Sequence, residues 1–299
     1  MNRVTSLSGQ RILLADLQQA QQAMLARQRA VATGKRIQVG SDAPADTVAA
    51  LAHRAELRRS AQLQRNADRA RDWLVAADRV TSGLIDELNR ARDLLVQANS
   101  GAADTTARTA ISQQLGQIRL AVLGIANTTV LGRPVLGGTT DSLQAYDSSG
   151  TYVGDTGSVA LPVSPGLTLD VSRTGPQVLG ISNPTDPANG DVLELLAHLS
   201  TVVAVGDTSA IGDGLARLDA ALTRVQTAQT ELGSRLRQLD DLAEANRTRD
   251  AELQMQVSDL EDIDVAETAV ELKAREFAYQ SALAVSARVM QLSLLDFLR

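Results

Sequence analysis

Chemistry in this sequence would have to come from very few places. Gly34-Lys35 has the form of the end of a phosphate loop, in which backbone N–H groups and a lysine hold phosphate, but Arg29 stands where the loop's first glycine belongs. A turn between helices is the better reading. His53 and His198 are the only histidines, each isolated among Ala and Leu without a second His at metal-binding spacing. The acidic run Asp259, Glu261, Asp262, Asp264 lacks the glycine turn and terminal Glu of a calcium loop. Absence of cysteine removes thiolate catalysis, disulfides and Cys-ligated zinc. Paired carboxylates on a helix also lack the concave pocket that raises a carboxyl pKa for acid catalysis. These residues predict no enzyme: no catalytic residue, no metal site and no cofactor. The chain must act through surfaces.

The elements that would carry such surfaces follow from composition. The 299 residues are 44% apolar but only 2% aromatic, the six aromatics being Trp73, Tyr146, Tyr152, Tyr279, Phe277 and Phe297. A long chain without bulky rings must bury Leu, Ile, Val and Ala along thin interfaces, which predicts a rod rather than a ball. A formal net charge of −6 makes the chain a poor binder of polyanions, so no nucleic acid partner is expected. Arg supplies 27 of the 29 basic groups, but scattered among acids on helix-like segments, as solvated faces and ion-pair partners are. No apolar run reaches the roughly 18 residues of a membrane span, so no membrane insertion is expected. The stretch MNRVTSLSGQRILLADLQQAQQ has no continuous apolar core and no small-residue cleavage site, so a cleaved signal peptide is not expected.

Helical periodicity dominates both flanks. Ser41-Asp42-Ala43-Pro44 places cap-type side chains before a proline, and no proline follows until after residue 99, which predicts one helix about 84 Å long. Its later half repeats in steps of four and three: Ala70, Leu74, Ala77, Thr81, Leu84, Leu88, Ala91, Leu95, Ala98. Ile111, Leu115, Ile118, Val122 and Ile125 form a second series. A third runs Ile211, Leu215, Leu218, Leu222, Val225, Gln229, Leu232, Leu236, Leu239, Ala243, Asn246, Asp250, Leu253, Val257, Leu260. This is the heptad signature of helices packed along a seam, with Leu74, Leu84, Leu88, Leu218, Leu232 and Leu239 predicted to hold it.

The middle is a different material. Residues 130–190 hold six of the seven prolines and ten of the 21 glycines, with no Lys or Glu. Ser158–Leu161 and Leu167–Val171 are short apolar stretches between turn signals, which reads as a small β-rich insertion. Residues 1–130 carry 17 basic and 11 acidic groups, whereas residues 191–299 carry 10 and 19. Opposite ends attract, so the chain is expected to run out and back with its two ends side by side. The expected fold is mainly α: an elongated antiparallel coiled-coil rod from both ends with a small β-rich central insertion. Its divisions are a terminal coiled-coil region of residues 1–40 and 261–299, a helical rod of 41–130 and 191–260, and an outer insertion of 131–190. Between Phe277 and Leu295 the only charge is Arg288, and apolar groups lie on more than one stripe. Such a helix needs cover on several sides, which one short partner helix does not supply, so intermolecular packing is expected, the alternative being a helix buried in its own subunit's core.

Several of these stretches together resemble the bacterial flagellin superfamily. They are Thr33-Gly34-Lys35-Arg36-Ile37, Ser41-Asp42-Ala43-Pro44, Asn66 and Ala91–Asn99 near the N-terminus, and Leu260–Glu267 and Ser293–Arg299 near the C-terminus. The ending SLLDFLR, Tyr152-Val153-Gly154-Asp155 and the stretch Gly175–Gly180 resemble its hook-filament junction branch more than its filament-forming flagellins. The motif residues carried over are Gly34, Lys35, Arg36, Ser41, Asp42 and Pro44. Two departures stand out: Ala43 where the superfamily commonly has a second Asp, and no aromatic within Val135–Gly138.

The resemblance implies a structural, extracellular component of the flagellum that joins hook to filament by helical polymerisation of its terminal coiled coils. It implies a homo-oligomer in a tubular assembly, with other hook-associated proteins and flagellin as neighbours. It also implies type III export and a flagellar export chaperone at the C-terminal region. Leu272, Phe277, Tyr279, Leu283, Val285, Met290, Leu294 and Leu298 are the expected assembly residues. The alternatives are a short flagellin that forms the filament itself and a cytosolic helical scaffold or signalling module.

Overall fold

A computed structural model describes residues 2–100 and 104–297, with side chains for 11–100 and 104–288. The fold is mainly α, with two small antiparallel sheets between flanking helical regions. The helices are α1 (Asn2–Thr33), α2 (Pro44–Asn99), α3 (Thr105–Ala126), α4 (Gly175–Leu179), α5 (Val192–Val205), α6 (Thr208–Glu261) and α7 (Val265–Phe297). The strands are β1 (Thr129–Val130), β2 (Arg133–Pro134), β3 (Ala160–Ser164) and β4 (Leu167–Asp170). No helix among the described residues is long and apolar enough to cross a membrane. The chain packs as two units, residues 60–248 and residues 1–59 with 249–299, so the division falls within α2 and α6. The sequence reading placed it at the turns near 40 and 261.

In the unit of residues 60–248, the α2 heptad series becomes the core. Every position from Ala70 to Ala98 in that series is at most 4% exposed, including the hydroxyl-bearing Thr81. Thr81 is tolerated there because its Oγ1 donates back to the carbonyls of Ala77 (3.1 Å) and Asp78 (2.9 Å). Leu74, Leu84, Leu88, Leu218, Leu232 and Leu239 are all buried. On α6 the seam passes through Ala228, buried at 6%, while Gln229 stays half-buried. The periodic series of the sequence had placed Gln229 there; burying an amide without partners is costlier than burying a methyl, and the helix presents Ala228 instead.

Ion pairs fix the register of this seam. Arg71 meets Asp240 at 3.1 Å and Arg92 meets Asp219 at 2.7 Å, so 21 residues on α2 span the same length as 21 on α6 in the opposite sense. That interval is three heptads. All four side chains are 43–56% exposed, so solvent screens each pair and it serves chiefly to select alignment.

The insertion is tied to this framework by polar groups aimed at its backbone. Asn66 of α2 donates its amide to the Pro162 carbonyl (3.0 Å), and Asn246 of α6 donates to the Val163 carbonyl (3.2 Å). β3 carries a bulge between Pro162 and Ser164, which turns Val163 fully into the core. Arg235 Nη1 donates to the Asp170 carbonyl at 2.6 Å and holds the end of β4 to α6. Earlier in the insertion, Asn127 uses both ends of its amide: Nδ2 donates to the Tyr146 carbonyl, and Oδ1 accepts from the Ala145 and Tyr146 N–H groups. Tyr146 is fully buried against Tyr152 with ring centroids 5.3 Å apart. Its hydroxyl packs so close to Gly175 that a Cβ there would come within 2.4 Å of it, which explains the glycine. The first strand of the β3–β4 pair starts two residues later than expected because Pro165 and Gly166, at φ +75°, make the turn.

α5 opens on Asp191, which is 1% exposed and accepts from the Glu194 N–H at 2.9 Å. Burial pushes its carboxyl up to about 6, against the pull of that N-terminal hydrogen bond. The fold therefore disfavours the charged form, so stability falls as pH rises from about 4 to about 6. Asp191→Asn keeps a cap of similar quality and removes the titration. The thermal midpoint of Asp191→Asn relative to the parent is expected to rise between pH 4 and pH 7, as read by circular dichroism melts. A constant difference across that range would show that Asp191 carries no such penalty.

Candidate functional site: the terminal helix pair and its closure

Helices α1 and α7 pack against each other in the unit of residues 1–59 and 249–299. On α1 the half-buried or buried positions recur as Leu13, Leu17, Ala20, Met24, Arg27 and Ala30; on α7 they include Thr268, Leu272, Glu276, Tyr279, Ala282 and Ser286. Spacings of three and four on both are those of an antiparallel seam. Arg27 meets Glu271 at 2.9 Å across it. Most cross-helix ion pairs in the molecule join a cation of the first third to an anion of the last, as the charge division predicts.

The pair is closed where α1 hands over to α2 and α6 to α7. Gly34 ends α1 at φ +70°, with its N–H on the Ala30 carbonyl, a backbone conformation that strains any residue with a Cβ. The two connections then join as a short antiparallel bridge. Arg36 N–H donates to the Glu261 carbonyl at 2.6 Å, and Ile263 N–H donates to the Gly34 carbonyl at 3.1 Å.

Charged side chains surround that bridge. Lys35 Nζ contacts Asp262 and lies 3.4 Å from Glu261, and Arg54 pairs with the same Glu261 carboxylate. Arg36 reaches the Leu260 carbonyl and Asp46, both at 2.6 Å. The hydrogen bond from Lys35, with a second from Ser258, holds the Asp262 carboxyl below the usual carboxylate range. The same bond raises the Lys35 ammonium. Asp264 turns instead to the start of α7, accepting from Ala266 N–H at 2.8 Å and Glu267 N–H at 3.1 Å. Three of the four acids in the run are thus spent on closing the turn and capping a helix. The motif residues Gly34, Lys35 and Arg36 form the closure itself.

Asp42 departs from its expected use. Its carboxylate accepts from the N–H groups of Gln38 and Val39, both at 3.0 Å, and so organises the loop behind it rather than capping α2. Ser41 is exposed on the same turn, and Pro44 begins α2. The residue in the cap position is Ala43, whose carbonyl takes the Thr47 N–H at 2.9 Å but whose side chain offers no acceptor. His53 and His198 lie singly on α2 and α5.

The expected assembly residues separate into two sets. Leu272 and Tyr279 belong to the half-buried stripe of α7, whereas Phe277 is 73% exposed, Val285 54% and Leu283 42%. Val265 and Val270 on α7, and Ile12 and Leu14 on α1, are exposed as well. The side chains of Met290, Leu294 and Leu298 lie outside the described residues. The exposed aliphatics of α1, Ile12 and Leu14, flank the half-buried Leu13 in one short run, and the run alone does not say which of the three faces the partner helix.

Two substitutions probe the closure. Removing the Glu261 carboxylate leaves Lys35 and Arg54 without a shared partner, so Glu261→Ala is expected to speed exchange of the Arg36 and Ile263 amides about tenfold in hydrogen-exchange measurements. Unchanged exchange would deny the carboxylate that role. Supplying the missing cap with Ala43→Asp is expected to stabilise the chain by about 0.5–2 kcal/mol in urea unfolding.

Comparison with known proteins rests on these same regions. Residues 4–139 match the bacterial flagellin N-terminal helical region and residues 215–298 the bacterial flagellin C-terminal helical region. The flagellar hook-associated protein 3 of Escherichia coli K12 is 25% identical over 253 residues, covering 78% of this chain and 80% of that one. The crystal structure of Bacillus cereus FlgL superposes with a TM-score of 0.60 at 23% identity, covering 69% of this chain and 99% of that one. That of the flagellar junction protein FlgL from Legionella pneumophila gives 0.60 at 14%, covering 71% and 99%. Matched at both of its helical ends, this chain belongs to the bacterial flagellin family.

Proposed function

We propose that the chain is a structural adaptor of the bacterial flagellum, joining hook to filament by helical polymerisation through its terminal helices. The observation that carries this is the apolar exposure of α1 and α7. Phe277, Val265, Val270, Ile12 and Leu14 are each more than half exposed on this helix pair. Large apolar side chains left in water on several sides of a helix pair mark it as an assembly element. The names of the similar proteins, hook-associated protein 3 and junction protein, support placing that assembly at the hook-filament junction.

The neighbours are then further copies of this chain in a tube, with other hook-associated proteins on one side and flagellin on the other. The site of action is extracellular, reached by export. Before export the same exposed apolar side chains need cover, a task for a chaperone at the C-terminal region.

Truncation after Ala266 separates assembly from folding. The unit of residues 60–248 holds its own core, so the truncated protein is expected to remain folded and soluble while no junction forms. Immunogold labelling of isolated hooks reads the result as a single band at the distal end for the full chain and none for the truncated one. An intact junction in the truncated strain overturns the proposal; labelling along the filament points to a flagellin instead.

A further inference from the structure

The tip between β1 and β2 is built against its own preferences. Leu131 and Gly132 make a two-residue turn in which both take positive φ, +51° and +80°. Such turns ordinarily use Asn-Gly or Gly-Gly, because a branched apolar side chain is strained there. Leu131 is the one non-glycine with positive φ among the described residues, and it is 81% exposed. Backbone and solvent both disfavour it, and no packing within the subunit offsets either. A strained apolar side chain displayed on a short hairpin has the form of an interface knob.

The same unit carries a recess of suitable character. An open groove of about 560 Å³ lies between α2 and α3, lined by Leu94, Ile118 and Ala121 with Glu87 and Asp93 beside them. Leu131 is not part of that lining, so the knob does not occupy its own groove. Charge matches too. Arg133, two residues from the knob, donates to the Thr139 carbonyl at 2.5 Å and lies 4.0 Å from Asp141, yet its side chain stays 41% exposed and would enter beside acids. Arg90 also lines the groove but is paired with Glu87 at 3.0 Å, which leaves Asp93 to meet an incoming cation.

We propose that Leu131 of one copy seats in the α2–α3 groove of the next. The contact is proposed as one-way, each copy giving its knob to one neighbour and its groove to another, so that it repeats from copy to copy. The inference rests on the adaptor reading only in needing stacked copies. It adds a second contact, within residues 60–248, to that of the terminal helices.

The full-length chain tests it in cells that make no other copy. Leu131→Asn suits the turn better, so its melting temperature is expected to equal or exceed that of the parent while its occupancy of isolated hook tips falls about tenfold. Ala121→Arg, which fills the groove, is expected to lower occupancy likewise. Because the chain has no cysteine, Leu131→Cys combined with Ala121→Cys can be oxidised in isolated hooks. A ladder of dimers, trimers and higher species on a non-reducing gel is expected, with none from either single variant. Parental occupancy by Leu131→Asn overturns the proposal, as does an assembled double variant that stays monomeric or a dimer from Leu131→Cys alone. Absence of the parent chain itself from hook tips would sink the adaptor reading, a separate failure.

Discussion

Within residues 60–248, everything depends on α2 and α6 running antiparallel in a single register. Their contact is made of Leu, Val and Ala with one buried Trp, so it has little shape of its own to prevent slippage by a heptad. Leucine seams are forgiving in that way. Polar groups remove the ambiguity: Arg71 with Asp240, Arg92 with Asp219, and at nearly the same level Asn66 and Asn246 on adjacent carbonyls of β3. A slip by seven residues would break every one of these at once. Weak interactions, each of little value to stability, together choose one alignment.

How much of this was legible in the sequence differs by element. The α2 series was fully readable because small and large aliphatics alternate without interruption from Ala70 to Ala98. On α6 the same reasoning passed through Gln229, since counting steps of three and four does not weigh a buried amide against the neighbouring methyl of Ala228. The insertion was recognisable as turn-rich, but not the capture of its backbone by Asn66, Asn127, Asn246 and Arg235. Such bonds join residues as far apart as 96 positions and leave no periodic trace. The closure of the terminal helices was half visible: Gly34-Lys35-Arg36 stood out as a motif, while the acidic run, lacking the glycine turn and terminal Glu of a calcium loop, had no role. Only the fold brings the cations of one turn to the carboxylates of the other. Leu131 was silent in sequence because nothing in its identity announces a positive φ.

The two units spend their apolar residues differently. Residues 60–248 gather most of theirs into one core, down to a tyrosine whose hydroxyl is buried without a partner, and leave a few, Leu131 among them, on loops and helix ends. The unit formed by the chain ends leaves phenylalanine, valine and isoleucine in water.

The asparagine bonds to the β3–β4 hairpin have a consequence for descent. Asn66 and Asn246 recognise carbonyl oxygens, which every residue possesses, and not the side chains of Pro162 or Val163. Attachment is therefore indifferent to most of what the hairpin displays outward. Its exposed positions are free to drift, and a surface presented to the outside world can be rewritten over generations without loosening its anchorage.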